Sequence, residues 1–132
     1  MTSSSRFVLT IAAALLCAMA APLASAGPRW TFQATVSDAS RHAYGTMTDA
    51  RGSSDNQQAI GCYHNATNGG CYATNSSGLS RTCSTSNPSL LNVIRAIGPE
   101  SYIYFQWNTD GTCNYVLIEN SSRFKPASAS GY

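Results

Sequence analysis

Charge is scarce in this chain. Eight Lys or Arg and six Asp or Glu are spread over 132 residues, giving a formal net charge of +2. No basic stripe is present to bind nucleic acid, and no acidic tail. Histidine is limited to His42 and His64, and glutamate to Glu100 and Glu119. The chain has no Cys-x-x-Cys pair, no Gly-x-Ser-x-Gly elbow, no glycine-rich phosphate loop and no dinucleotide fingerprint. Those absences speak against a zinc ribbon, an α/β-hydrolase, a P-loop nucleotidase and a Rossmann enzyme. No cofactor is expected. After the N-terminal apolar run there is no second apolar span, no internal repeat and no long linker.

What is present begins with that run. A short polar start carrying Arg6 precedes Phe7 to Ala21, 15 uninterrupted apolar or small residues. Pro22 follows, and Ala24-Ser25-Ala26 offers small residues at the positions a signal peptidase reads. The run is shorter than the roughly 20 residues needed to span a bilayer. Residues 1–26 are therefore expected to be a secretory signal peptide. Bulky Leu16 before Cys17 argues against a lipoprotein anchor. Residues 27–124 are expected to be one globular domain, and 125–132 a disordered tail. The protein is expected to be secreted or periplasmic, and the Ala-rich leader favours bacterial export. The glycosylation-type triplets at Asn65, Asn75 and Asn120 are then expected to stay unmodified.

Loss of Cys17 with the leader leaves Cys62, Cys71, Cys83 and Cys113, an even number in an exported chain. That pattern reads as two disulfides in an oxidising compartment. Turn chemistry suggests the pairing. A three-residue hairpin loop Ser76-Ser77-Gly78 puts Cys71 opposite Cys83. A two-residue Asn68-Gly69 turn puts Cys71 opposite Ala66 and Cys62 opposite Asn75. These registers favour Cys71–Cys83 and Cys62–Cys113, although the first falls at a hydrogen-bonded pair, where side chains stand further apart.

The periodicity predicts an α+β, mainly antiparallel β fold: a disulfide-stapled twisted sheet of about five to six strands with one covering helix. Trp30, Phe32, Ala34 and Val36 alternate with polar residues as a first strand should. Ser37 to Arg41 reads as a turn, and Tyr44 to Ala50 as a weaker strand. Strand structure resumes from Gln57 to His64. Asn87 as N-cap, Pro88 at the first helical position and the stripe Leu90, Leu91, Ile94, Ile97 predict a helix over about 87–97. Tyr102 to Trp107 and Asn114 to Glu119 predict a central hairpin. An Asp110-Gly111 turn pairs Phe105 with Val116 and Ile103 with Ile118; a Thr109-Asp110-Gly111 loop shifts the partners by one. The first register sets Trp107 with Ile103 and Phe105 on one face, and Tyr104, Tyr115, Leu117 and Cys113 on the other. Large apolar groups on both faces leave room for the helix on one of them.

Three chemistries compete for these residues. Cys62-x-His64 resembles half of a metal site, but no second close pair exists, and no metal is expected. His64 with Glu119 and with Arg81 or Arg95 has the parts of a nuclease-like hydrolase, an acid, a base and a phosphate-binding cation, though no spacing makes them converge. The third is binding. Tyr63, His64, Tyr72, Tyr102, Tyr104 and Tyr115 lie among Asn, Gln, Ser and Thr, the mixture of rings and neutral hydrogen-bonding groups that suits a carbohydrate or an extracellular or periplasmic protein. A non-catalytic binding or structural component is the favoured expectation, and the hydrolase is the alternative. No motif names a ligand.

Overall fold

Among the described residues the alternating pattern folds into seven strands, arranged as two antiparallel sheets. The computed structural model describes residues 27–124; the expected leader and tail lie outside the described residues. The four-stranded sheet has the order β1 (Thr35–Ser37), β2 (His42–Thr46), β6 (Tyr102–Trp107), β7 (Cys113–Glu119). The three-stranded sheet is a meander of β3 (Ala59–His64), β4 (Gly69–Thr74) and β5 (Ser80–Thr85). Two short helices, α1 (Met47–Arg51) and α2 (Pro88–Ile94), and a final 3-10 turn (Ser122–Phe124) complete it. The strands thus number one more than the upper expectation and divide into two layers instead of one sheet.

One core joins the layers. Val36, Ala43, Phe105 and Val116 form a row across the inner face of the four-stranded sheet, beside Ile103 and Trp107. Ile60, Ala73, Cys71 and Cys83 of the three-stranded sheet belong to the same buried cluster. Helix α2 buries Leu91 and Ile94 and packs against β7, β3 and β4. It closes the gap between the layers at the β7 edge. Asn87 caps it as expected, accepting from Ser89 N–H at 2.9 Å. The regular helix stops at Ile94, sooner than 97, because the last bonds tighten to Ala96 N–H→Val93 C=O and Ile97 N–H→Ile94 C=O.

The expected strand Tyr44 to Ala50 is half strand and half helix. Thr46 ends β2 and caps α1, its Oγ accepting from Asp49 N–H at 3.2 Å. The buried Asp49 carboxylate accepts from Thr46 Oγ, from Phe32 N–H at 2.8 Å and from Arg29 at 2.9 Å. These bonds strap the N-terminal segment along the sheet, so the expected strand from Arg29 shrinks to Thr35–Ser37.

The disulfides are Cys62–Cys71 and Cys83–Cys113, which corrects the expected pairing. The register of Cys71 against Cys83 is as expected, and so is the Ser76–Gly78 loop that sets it. The expected Asn68-Gly69 turn is replaced by a four-residue loop. Asn65 Oδ1 accepts from Thr67 and Asn68 N–H, Asn65 N–H donates to Asn68 C=O, and Gly69 already belongs to the strand. Cys62 therefore faces Cys71. Counting outward from the Asn65–Asn68 bond, that pair is a narrow one, with Cα atoms 4.0 Å apart. The backbone groups of Cys71 then point to β5, which makes Cys71–Cys83 a wide pair by necessity.

The second bridge follows from a bulge. Asn108 N–H bonds Thr112 C=O around a Thr109–Gly111 loop, with Gly111 left-handed at φ 82°. Farther along, Phe105 pairs with Val116 and Ile103 with Ile118. Both anticipated registers are thus present, reconciled by an irregularity between Gln106 and Trp107 that pairs Trp107 with Cys113. It turns Cys113 onto the inner face, opposite to the expected side, where it reaches Cys83 of the other sheet.

Candidate functional site

Alternation that buries Ala43, Ile103, Phe105 and Val116 must turn their neighbours outward. Across the four-stranded sheet the outward rows read Ser37, His42, Gln106, Tyr115, then Thr35, Tyr44, Tyr104, Leu117, then Thr46, Tyr102, Glu119. Leu117 is the one aliphatic side chain in those rows. The rings touch in sequence. Tyr115 meets Tyr104 edge-on at 5.9 Å between centroids, and Tyr104 stacks on His42 at 5.6 Å. His42 stacks on Tyr44 at 6.0 Å, and Tyr44 contacts Tyr102 at 6.4 Å. Tyr102 then stacks on Phe124 at 5.8 Å.

That last contact marks where the face is roofed. Phe32, Phe124 and the N-terminal segment cover the Tyr102 end, and Trp30 lies beneath the Arg123 guanidinium. Burial pushes the Tyr102 phenol above its ordinary pKa, with Tyr44, Tyr104 and Glu119 adding to the effect. Toward the other end the rings open to solvent: His42, Tyr44 and Tyr104 are half-buried and Tyr115 is exposed. Helix α2, for which either face of the hairpin had room, packs on the inner side. Gln106 donates to the Tyr104 hydroxyl at 2.5 Å, fixing one ring.

The six side chains expected to face a ligand divide three ways. Tyr102, Tyr104 and Tyr115 belong to this band. Tyr63 and Tyr72 lie on the outer face of the other sheet, each over a glycine of the neighbouring strand. A Cβ on Gly70 would come within 2.8 Å of the Tyr63 hydroxyl, and one on Gly61 within 2.7 Å of that of Tyr72. These rings fill the space of missing side chains. His64 pairs with Gly69 at the end of β3 and is exposed. His42 and Tyr44 were missed by sequence reasoning because the weaker strand was begun at Tyr44, which left His42 outside it. The signal was present: His42, Tyr44 and Thr46 alternate with Ala43 and Gly45.

The hydrolytic parts stay apart. Glu119 lies on β7 and His64 on β3, in different sheets. Arg81 is paired with Asp38, while Arg95 is held by Asn92 Oδ1 and Ala66 C=O. Among the described residues no hydrogen bond joins His64 to any of them. No cluster of three His, Cys, Asp or Glu side chains there could hold a metal ion. No helix of the described residues is long and apolar enough to cross a membrane. No protein-family model, curated protein or solved structure matches the chain.

Proposed function

We propose that this is an exported, non-catalytic binding protein that holds a carbohydrate on the outer face of its four-stranded sheet. One observation carries the reading: the unbroken ring band Tyr115–Tyr104–His42–Tyr44, open to solvent and bordered by Ser37, Thr35 and Gln106. Aromatic faces stack on the C–H faces of sugar rings, while neutral donors and acceptors take the hydroxyls. The rigid sheet beneath keeps the rings in register, so little ordering is needed on binding. Two disulfides fit the oxidising compartment in which such a ligand is met.

The test is retention of the mature chain, Gly27 to Tyr132, in affinity electrophoresis against soluble neutral and uronate-containing polysaccharides. Retention by at least one, lost in Tyr104→Ala with melting unchanged, supports the reading. Mobility unaffected by every polysaccharide overturns it. An intact mass that starts at Gly27 and falls four hydrogens below the reduced value supports export and both bridges.

A further inference from the structure

At the strand ends beyond the His42–Gln106 row lies an open cleft of about 380 Å³. Three segments line it: Asp38 and Arg41 from the β1–β2 loop, Arg81 and Thr82 from β5, and Trp107 to Thr109 with Gly111 from β6 and its turn. The walls belong to different sheets. They are held together by Cys83–Cys113, by Ser84 N–H→Gly111 C=O at 3.1 Å and by Trp107 N–H→Arg41 C=O at 3.1 Å.

The two arginines are not equivalent. Arg81 is committed, with one nitrogen on Asp38 Oδ2 and the other on Ser80 C=O at 2.8 Å. This pair cancels the Asp38 charge. The Arg41 guanidinium has no hydrogen-bond or ion-pair partner among the described residues, so the cleft carries one uncompensated positive charge. The backbone adds a second, independent observation. Arg41 has φ 47°, at the last position of a four-residue hairpin loop between Ser37 and His42. That left-handed position favours glycine and is unfavourable to a residue with a Cβ. The chain places a long cation where glycine fits best, and strained backbone of this kind concentrates at ligand sites.

Resting on the carbohydrate reading above, the geometry points to an acidic glycan as the ligand class: sugar rings lie on the aromatic band and a uronate carboxylate enters this cleft, where Arg41 binds it. Thr109 supplies a neutral hydroxyl on the far wall, while the Asn108 side chain is engaged with Thr112 and Asn114. Arg41 immediately precedes His42 and Asn108 lies two residues past Gln106, so the cleft mouth lies just past the strand ends where the band stops, with the Trp107 side chain turned to the inner face.

The experiment compares β-linked glucose oligosaccharides with counterparts of equal length carrying C6 carboxylates, by calorimetry on the mature protein. The acidic form is expected to bind about five- to tenfold more tightly at low salt, and the preference to vanish in about 0.5 M NaCl. Arg41→Gly is expected to melt no lower than the parent, to keep its affinity for the neutral form and to lose the preference. Arg41→Lys is expected to retain part of it. Equal affinity for the two forms, or a preference surviving in Arg41→Gly, overturns the acidic-ligand inference and leaves the carbohydrate reading standing. Binding of neither form overturns the acidic-ligand inference, and the carbohydrate reading falls only if no polysaccharide retains the protein.

Discussion

The two outer faces of this protein both display tyrosines over a sheet, and they use them differently. On the four-stranded sheet the rings touch one another, with His42, Tyr44 and Tyr104 half-buried and Tyr115 exposed. On the three-stranded sheet Tyr63 and Tyr72 lie across Gly70 and Gly61, so one side of each ring is spent on backbone. Among the described residues neither contacts another aromatic ring. Exposure alone does not separate the cases, since Tyr63 is 51% exposed and Tyr115 46%. What separates them is what lies beside each ring: a diagonal or same-strand aromatic ring in one sheet and a cross-strand glycine in the other. A row of rings makes a surface for a ligand, whereas a ring over a glycine repairs a hole.

The strongest test of that contrast is the bridge between the faces. Cys83–Cys113 closes a separation of 30 residues and ties the sheets together; Cys62–Cys71 closes 9 within one sheet. Chain-entropy arguments put the loss at roughly 3.5 kcal/mol for the double Ser variant of the first and roughly 2.5 for the second. Chemical denaturation of both variants checks the order; a larger loss from the short bridge would show the sheets hold without the staple. Next comes Gly70→Ala. Its Cβ would sit 2.2 Å from the Cys83 carbonyl, a backbone atom, so about 1–3 kcal/mol of destabilisation is expected on melting.

The contrast between the tyrosines should appear as opposite phenotypes. Tyr104→Ala is expected to weaken polysaccharide binding at least about tenfold, about 1.4 kcal/mol, with little change in melting. Tyr72→Ala is expected to lower stability by about 1 kcal/mol and leave binding intact. If both weaken binding equally, the two faces are alike after all.

The smallest effect concerns pH. The Asp55 carboxyl is held at about 2 by the Gln58 side chain, then by the Gln57 and Gln58 N–H groups and Ser53. Gln58 in turn accepts from Ala34 N–H at 2.8 Å, beside β1. A depressed folded pKa stabilises the fold above the unfolded value near 3.8, and the benefit is lost as pH falls through about 2. Asp55→Asn should therefore flatten the melting profile between about pH 4 and pH 2 and leave that above pH 5 unchanged in shape.

How much of this was legible in the sequence depended on how local the determining interaction was. The α2 cap at Asn87, the Ser76–Gly78 loop and the Phe105–Val116 register are set by neighbouring residues, and each was readable. The bulge beside Trp107 was not, because it reconciles two registers that local turn chemistry offers as alternatives. One residue of slip moved Cys113 across the sheet and changed the disulfide pairing. The Asn65–Asn68 loop did the same for Cys62, since Asn65 captures two N–H groups and displaces the Asn-Gly turn. Three of the band's rings were legible because aromatic residues in a strong hairpin announce themselves. His42 and Tyr44 were obscured by a strand that begins two residues earlier than its hydrophobicity suggests.

The clasp at the roofed end has an engineering consequence. Trp30 N–H donates to Arg123 C=O at 3.0 Å, and Arg123 stacks over the Trp30 ring, so the first and last described segments lie side by side. A short linker can join them into a closed ring, and new ends can be opened in an exposed turn such as Ser76–Gly78. A circular permutant made this way would keep the ring band in its centre and free both original ends from the surface around it.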